Sequence, residues 1–288
     1  MKFVTFTHGG SEMPGVLSND GARVFPLDGW ADLVSFIADY ETSGRAVAAG
    51  LEKAGGGLPL ESVRLQAPIP HPPHDIVCAG MNYIGHAKEL AEAMGREYTH
   101  PVHPTYFIKR VNRAVAPDGD IPSHIGITQK LDYEAELAVV IGRRCKGVPQ
   151  RDVPGYIFGY TVANDVTARD LQMERGAQWT LGKTLDGSAP LGPWIVSADE
   201  FAFPPLLKIS SRVNGEPRQD SNTSDFIFGI DYLISELSQG ITLEPGDIIM
   251  TGTPSGVGIG LTPPQFLRPG DVVECEIEGI GVLINKVN

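Results

Sequence analysis

Short apolar runs, many of them rich in β-branched residues and bounded by Gly, Pro, Asn or Asp, recur along most of the chain. Such runs predict strands. They are not separated by regular helical patterns, which disfavours a doubly wound parallel sheet. One clear helix is expected in residues 228–240, where apolar side chains form a stripe at helical spacing and Gly240 supplies the stop. The pattern therefore predicts a β-rich α+β protein.

The beginning of the chain has its own pattern. Residues 1–27 show short β-rich runs typical of an antiparallel meander, and a short helix is expected around residues 30–40. Residues 54–75 are rich in Gly and Pro, which suits an exposed connection. We therefore predict a small N-terminal β-rich domain over residues 1–65 and a main domain over residues 66–288.

A hairpin is predicted late in the chain. The pair Asn214-Gly215 lies between two β-type runs and matches the type I′ turn, in which both central residues need positive φ. Pro217, which cannot donate to a ladder, is then expected on an edge strand.

Two glutamates interrupt the apolar run of residues 130–144. In an extended chain Glu134 and Glu136 share one face, roughly 6.6 Å apart, and Ala138 and Val140 continue that face. Two carboxylates at the start of an apolar face repel each other and lose hydration unless a cation or donors compensate them. This favours a metal site, and the alternative is an edge strand whose polar face starts in water.

A third carboxylate follows about thirty residues later, where a predicted strand ends at Asp165. Strand ends are natural positions for binding residues, because a rigid scaffold holds the loops that follow. Three carboxylates would then be available to one site.

Composition narrows the function. The chain has 288 residues and a net charge of −12, which argues against binding to nucleic acid or anionic membranes and favours a small-molecule substrate. The three cysteines are far apart and without C-x-x-C pairing, so neither a disulfide framework nor a zinc knot is expected. No window approaches the ~20 apolar residues of a membrane span. We expect a cytoplasmic protein.

A glycine-rich segment, residues 251–260, resembles a phosphate loop in composition. Glycines let backbone N–H groups approach an anion. The segment lacks the G-K-[ST] ending of such loops, so a nucleotide site is not predicted.

Several motifs together resemble those of the fumarylacetoacetate hydrolase superfamily. In chain order they are "YEAELAVVIGRR", "NDVTARDLQ", "QWTLGKTLDGSAPLGPW", "LKISSRVNGEPRQ" and "GDIIMTGTPSGVG". The resemblance runs from about residue 76 to the C-terminus and does not cover the first 65 residues. It implies an α+β fold with a stacked, rolled β-sheet core, and a homodimer.

The resemblance also implies Mg²⁺ or Mn²⁺ held by Glu134, Glu136 and Asp165, with Ca²⁺ as an alternative. The chemistry of the residues agrees, because hard divalent cations prefer oxygen ligands. Three carboxylates leave about three positions of an octahedral ion for substrate and water.

Further roles follow from the resemblance, each with a simpler alternative. Lys183 resembles the cation that faces the substrate, although a lone lysine is often a solvated surface charge. Arg169 and Gln172 resemble a substrate-contacting pair on one helical face, although Arg169 could instead pair with one of the two nearby aspartates. Thr253 resembles a contact to the substrate carboxylate, although it could be ordinary turn chemistry.

Residues 79–90 resemble the catalytic segment of the family. His86 and Glu89 are three residues apart, so a helical turn would let the carboxylate orient the imidazole as a general base. The flanking Gly80 and Gly85 suggest the hinges of a mobile lid. On spacing alone, the alternative is an exposed helical pair.

The sequence departs from the family pattern in the long connection of residues 91–129, which is rich in His and Arg. Its "KRVNRAV" stands where relatives are expected to have small hydroxyl residues. Long loops within compact domains are often functional, so this connection is expected at the pocket mouth or the dimer interface.

The sequence predicts a metal-dependent hydrolase that cleaves a carbon–carbon bond in a small acylpyruvate or β-diketo acid. His86 with Glu89 would activate water, and the metal with Lys183 would stabilise the departing enolate. The alternatives are a 2-oxo acid hydratase or decarboxylase of the isomerase and lyase branch, which uses the same enolate chemistry, and a non-catalytic cation-binding dimer.

Overall fold

The computed structural model describes residues 1–176 and 178–288, without the side chains of residues 52–54. Strands dominate this part of the chain. In chain order the strands are β1 Lys2–His8, β2 Ser11–Leu17, β3 Arg23–Pro26, β4 Leu58–Pro59, β5 Arg64–Leu65, β6 Ile76–Gly80, β7 Thr105–Lys109, β8 Asp120–Ile121, β9 Leu131–Asp132, β10 Ala135–Ile141, β11 Ile157–Asn164, β12 Thr167–Ala168, β13 Leu191–Ser197, β14 Lys208–Val213, β15 Glu216–Asn222, β16 Ile248–Met250, β17 Val272–Ile277 and β18 Gly281–Val287.

The helices are short and lie between strands. The α-helices are α1 Leu33–Ala38, α2 Arg45–Ala54, α3 Ile84–Ala93, α4 Arg169–Met173, α5 Thr180–Lys183 and α6 Ile230–Gly240. A π-helical turn spans Tyr40–Gly44, and 3₁₀ turns span Leu60–Ser62, Gln150–Tyr156, Ala198–Glu200, Thr223–Asp225 and Gly258–Gly260. The helix expected in residues 228–240 is therefore confirmed as α6.

The larger sheet has the order β4-β3-β2-β1-β13-β11-β10-β16-β6-β7, with β5 paired to β1. Its pairings are antiparallel except for the parallel pair of β16 and β6. Strand β10 lies between β11 and β16, and its seven residues are all buried. The edge-strand alternative for the glutamate segment is therefore wrong, because both edges of β10 carry ladder partners.

The smaller sheet has the order β15-β14-β17-β18-β8, and β9 and β12 form a separate antiparallel pair. Asn214 and Gly215 connect β14 to β15 with φ angles of 54° and 77°, which confirms the hairpin turn. Pro217 lies in β15, an edge strand, as its missing donor requires. The two sheets stack, and the predicted α+β fold with a stacked β-sheet core is confirmed.

The faces of β10 belong to two different hydrophobic clusters. Leu137 and Val139 pack in the cluster shared with the smaller sheet, whereas Ala138 and Val140 pack in the cluster shared with Phe3 and the N-terminal helices. A strand covered on both faces reads as a continuous apolar run, which explains the sequence pattern. The site residues at the start of β10 are therefore held between two cores.

The N-terminal strands continue the larger sheet, because β1 pairs antiparallel with β13. The stretch expected to be an exposed connection, residues 54–75, contains β4 and β5, which pair with β3 and β1. These pairings join segments far apart in the chain, so local Gly and Pro content does not reveal them. The domain boundary near residue 66 stays a prediction. Among the described residues, no helix is long and apolar enough to cross a membrane.

Candidate active site

Three carboxylates meet where β10 begins and β11 ends. Glu134 directly precedes β10, Glu136 lies in it, and Asp165 directly follows β11. The strands are in register with Ala135 opposite Asn164, which brings the acids to one end of the pair. One oxygen from each acid lies within 4.8 Å of those of the other two, and the three residues are 3%, 2% and 0% exposed. The structure thus brings together the acids proposed as metal ligands.

Two of these carboxylates are neutralised by side chains of the protein. Lys183 Nζ lies 2.8 Å from Glu134 Oε2 and 2.7 Å from Asp165 Oδ2. Arg169 Nη2 lies 2.7 Å from Glu134 Oε1, and Lys109 Nζ lies 2.7 Å from Asp165 Oδ1. Burial opposes ionisation of Glu134, but the charges of Lys183 and Arg169 outweigh it and lower the pKa of this carboxyl. Lys183 is buried, not a solvated surface charge.

Glu136 has no such cation. Its Oε2 accepts a hydrogen bond from Gly252 N at 2.7 Å, and no Lys, Arg or His of the described residues forms an ion pair with it. Burial, together with repulsion from Asp165 and Glu134, raises the pKa of Glu136 well above its usual range. A divalent cation among the three acids would remove this penalty. The residues present therefore fit a metal with oxygen ligands.

Helix α4 carries the predicted substrate-contacting pair. Arg169 Nη1 donates to Gln172 Oε1 at 3.1 Å, so the two side chains share a face as their spacing predicts. Arg169 does not pair with either nearby aspartate. It pairs with Glu134 and with Asp132, whose Oδ2 lies 2.8 Å from Arg169 Nε. Arg169 is completely buried. Its guanidinium therefore holds the acid cluster in place and also faces the cleft.

His86 and Glu89 lie on α3, with His86 Nδ1 at 3.2 Å from Glu89 Oε2. His86 is only 3% exposed, so the alternative of an exposed helical pair is wrong. The other oxygen of Glu89 accepts a hydrogen bond from Gly256 N at 2.8 Å. When Nδ1 donates to Glu89, Nε2 keeps its lone pair and is the basic nitrogen of the ring.

The glycine-rich segment of residues 251–260 binds anions, but these are carboxylates of the protein. Its backbone N–H groups donate from Gly252 to Glu136 at 2.7 Å, from Gly256 to Glu89 at 2.8 Å, and from Gly258 and Ile259 to Asp132 at 2.7 and 3.1 Å. Gly252 has a φ of +104°, and a Cβ there would lie 2.8 Å from Asn82 Cβ. Glycine is required at this position on both counts.

Thr253 is already engaged within the protein. Its Oγ1 donates to Ala135 O at 2.9 Å and accepts from Gln219 Nε2 at 2.7 Å. The hydroxyl therefore holds the glycine-rich segment against β10, although the residue also lines the cleft. Its contact to substrate stays a prediction.

Asn82 connects the start of helix α3 to the same glycine-rich segment. Its Nδ2 donates to Thr251 O at 2.8 Å and to Phe228 O at 3.1 Å, and its Oδ1 accepts from Phe228 N at 2.9 Å. A buried amide with all these partners fixes the backbone that leads into α3.

Sequence reasoning missed Lys109, Asp132 and Asn82. A signal for Asp132 exists, since it precedes Glu134 by two residues and extends the alternation of acids. Lys109 ends an apolar strand within the unusual connection, where a lone lysine carries no pattern of its own. Its partner Asp165 lies 56 residues further on, so only the fold reveals the pair.

The cleft between these groups is tight. Its free volume is about 10 Å³, which is room for about one water molecule or one ion. The lining residues include Met81, His86, Leu90, Phe107, Glu134, Glu136, Arg169, Gln172, Trp179, Lys183 and Thr253. Substrate binding therefore requires some movement of the cleft walls.

Curated relatives share long stretches of this sequence. The chain is 48% identical to "Oxaloacetate tautomerase YisK" of Bacillus subtilis (strain 168) over 228 residues, 79% of this chain and 74% of that protein. It is 45% identical to "Oxaloacetate tautomerase FAHD2A, mitochondrial" of Homo sapiens over 253 residues, 87% of this chain and 76% of that protein. Because this relative is named as mitochondrial, the cytoplasmic location stays a prediction.

Solved structures share the fold. A fumarylacetoacetate hydrolase from psychrophilic Exiguobacterium antarcticum matches with a TM-score of 0.85 and 37% identity, covering 100% of this chain and 99% of that one. A 5-carboxymethyl-2-hydroxymuconate delta-isomerase from Mycobacterium smegmatis matches with a TM-score of 0.76 and 30% identity, at the same coverage.

The predicted carbon–carbon hydrolase is wrong. The two curated relatives are named as oxaloacetate tautomerases and the Mycobacterium smegmatis structure as an isomerase, and such enzymes move a proton and cleave no carbon–carbon bond. The residues could not separate these reactions, since hydrolysis and isomerisation both pass through an enolate that the same acids and lysine would stabilise. The isomerase and lyase alternative agrees better with the relatives.

Family models cover nearly the whole chain. Residues 75–288 match the model described as "Fumarylacetoacetate (FAA) hydrolase C-terminal", and residues 1–68 match the model "Rv2993c-like, N-terminal". The motifs, the stacked sheets and the acid cluster agree with the first match, and the chain belongs to the fumarylacetoacetate hydrolase family.

Proposed function

We propose that the protein catalyses the keto–enol tautomerisation of a small 2-oxo acid, with oxaloacetate as a substrate. The observation that carries the proposal is the pair of buried His86 and half-buried Glu89 beside the acid cluster, a base next to a site suited to a cation. The names of the relatives that are 48% and 45% identical support the choice of oxaloacetate.

The metal of this proposal is Mg²⁺ or Mn²⁺, with Ca²⁺ as an alternative, held by Glu134, Glu136 and Asp165. The uncompensated charge of buried Glu136 supports it. When bound, the ion supplies Lewis-acid polarisation of the 2-oxo group and a point of attachment for the neighbouring carboxylate.

His86 performs the proton transfer in this proposal. Nε2 takes a proton from C3 of the keto form, and the electron pair of that C–H bond becomes the C2–C3 double bond. The electron pair of the C2–O double bond moves to the oxygen, which then takes the proton from the His86 imidazolium and restores the base. Glu89 holds the imidazole in the required tautomer and offsets the charge that His86 acquires. No σ bond other than C–H and O–H is broken or formed.

Lys183 and Gln172 complete the proposed site. Burial alone would lower the pKa of Lys183, but the negative charges of Asp165 and Glu134 outweigh burial and raise this pKa. The ammonium therefore stays charged and cannot act as the base. Its charge stabilises the oxygen on which negative charge develops. The side-chain NH₂ of Gln172 has no protein partner in the described part of the chain and is free to donate to substrate.

The remaining roles are proposed on the same basis. Arg169 and Thr253 line the cleft and would contact the substrate carboxylate once their present protein partners rearrange. A homodimer is part of the proposal, and light scattering of the purified protein tests it.

Keto–enol exchange of oxaloacetate tests the function directly. Enol absorbance is followed with Mg²⁺ or Mn²⁺ and with a chelator, and NMR in deuterated water reports exchange at C3. Metal-dependent exchange above the rate without enzyme, with the carbon skeleton intact, supports the proposal. Formation of pyruvate and carbon dioxide in place of exchange would instead support decarboxylation.

A further inference from the structure

A second cavity adjoins the catalytic cleft. Its volume is about 160 Å³, and it shares the wall formed by Gly80, Met81 and Leu90 with the cleft. The cleft alone has about 10 Å³ of free volume. The larger space therefore lies beside the acid cluster, on the side where α3 carries His86.

The cavity follows the apolar face of α3. Ala87, Leu90, Ala91 and Met94 are spaced as one helical stripe, and Phe228 from the segment before α6 also lines the cavity. The small side chains Ala87 and Ala91 leave room that a larger residue would fill. The polar residues that also line it are solvent-exposed, apart from the half-buried Tyr98; they are Arg96, Glu97, Tyr98, Thr99, His103 and Thr105.

The size and chemistry of this cavity indicate what it binds. A cavity of ~150 Å³ lined by Leu, Ile and Phe side chains is large enough to bind benzene. Oxaloacetate places a charged carboxylate beyond C3, and the α3 face of the cavity, formed by Ala87, Leu90, Ala91 and Met94, offers that group no donors. The space fits an uncharged ring better than a second carboxylate.

We propose that this side cavity binds an apolar, ring-sized substituent on C3 of a 2-oxo acid, so that arylpyruvates are substrates of the same site. The inference rests on the proposed tautomerisation and extends its substrate class. The 2-oxo acid end would lie at the acid cluster, and the ring would extend past Leu90 into the side cavity. The reaction is unchanged, because a C3 proton moves to His86 and the 2-oxo oxygen gains a proton.

Phenylpyruvate is the probe, since it combines a 2-oxo acid with an uncharged ring. Keto–enol exchange of phenylpyruvate and of oxaloacetate is measured on the full chain with Mg²⁺. Ala91→Phe fills the cavity, and Ala93→Phe places the same side chain on an exposed position of the same helix as the control. Ligand-observed NMR reports phenylpyruvate binding independently of turnover.

The expected result is a fall of about tenfold or more in the ratio of kcat/KM for phenylpyruvate to that for oxaloacetate in Ala91→Phe, carried by KM. Ala93→Phe should leave the ratio unchanged. If Ala91→Phe does not fold, Met94→Ala at a half-exposed position removes part of the apolar wall, and its KM for phenylpyruvate should rise several-fold.

The outcomes separate the two proposals. Turnover of oxaloacetate without turnover or binding of phenylpyruvate overturns the side cavity and leaves the proposed function standing. Turnover of phenylpyruvate that is sensitive to Ala91→Phe, without turnover of oxaloacetate, supports the cavity and overturns the choice of oxaloacetate. An unchanged ratio in both Ala91→Phe and Met94→Ala overturns the cavity, and no turnover of either acid overturns both.

Discussion

The acid cluster and helix α3 line the same cleft but are held in different ways. Glu134 and Asp165 sit at the ends of central strands, and buried cations fix their carboxylates. His86 sits on a helix of ten residues that borders a cavity and is fixed by Glu89 and, at its start, by Asn82. The difference suggests that the cluster is preorganised to bind, while the helix must move to admit substrate.

The largest expected effect comes from removing the proposed base, and it should fall on the chemical step and not on metal binding. His86→Ala should lower kcat by ~10²–10⁴-fold, the usual worth of a positioned base. The affinity for Mn²⁺, measured by electron paramagnetic resonance, should stay within error, because the acid cluster does not depend on α3. A loss of metal affinity in His86→Ala would show that the two regions are one unit.

The second prediction compares two acids in the metal-free protein. Glu134→Gln should lower the free energy of unfolding by ~3–5 kcal/mol, because Lys183 and Arg169 lose a buried partner. Glu136→Gln should leave it unchanged or raise it, because it removes a carboxyl group whose ionisation is opposed by burial and by the two neighbouring acids. Denaturant titration with a chelator measures both variants.

With metal bound, the carboxylate of Glu136 should stabilise the protein. In the wild type, Mg²⁺ or Mn²⁺ should raise the thermal unfolding temperature, and both variants should lose most of that gain. If both metal-free variants lost the same free energy of unfolding, the charge of Glu136 would have a compensating partner that the structure does not contain.

The third prediction concerns the motion of α3. Hydrogen exchange in residues 80–95 should slow when oxalate and Mg²⁺ bind, since closure protects amides that open in the free protein. Residues 135–141 in the central strand serve as the internal control and should exchange slowly in both states. Identical exchange of residues 80–95 with and without ligand would leave no basis for a lid.

The smallest effect lies away from both regions. His74 Nδ1 donates to Asp247 Oδ1 at 2.7 Å, and this hydrogen bond raises the pKa of His74. A raised pKa stabilises the fold fully below the unfolded value of ~6.5 and ceases to do so as the pH rises through the folded value. His74→Asn should therefore cost at most ~1 kcal/mol at pH 5.5, because the imidazole is largely exposed, and nothing at pH 9. Thermal unfolding at the two pH values checks this, and activity should not change.

The same contrast explains what the sequence could reveal. The alternation of Glu134 and Glu136 and the position of Asp165 after a strand are local signals, and they correctly placed the acids together. The cations that neutralise the cluster are not local, since Lys109 and Lys183 reach Asp165 from different parts of the chain. The spacing of residues therefore predicted the acid cluster but not the cations that neutralise it.

Two other features needed the fold. The pairing of β1 with β13 joins residues nearly 200 positions apart, and nothing in the first strand specifies that partner. The reaction was also beyond the residues, because a base beside an enolate-stabilising site serves hydrolysis and tautomerisation alike. Only the relatives separated these reactions.

The glycine-rich segment limits how this enzyme can be redesigned. One loop donates to Glu136 of the proposed metal site, to Glu89 beside the proposed base His86, and to Asp132, which anchors Arg169. A library that varies residues 251–260 would disturb all three at once and should yield few active clones. The residues between 94 and 105 that line the side cavity donate to none of these acids, so varying them should change the proposed substrate range and leave the acids in place.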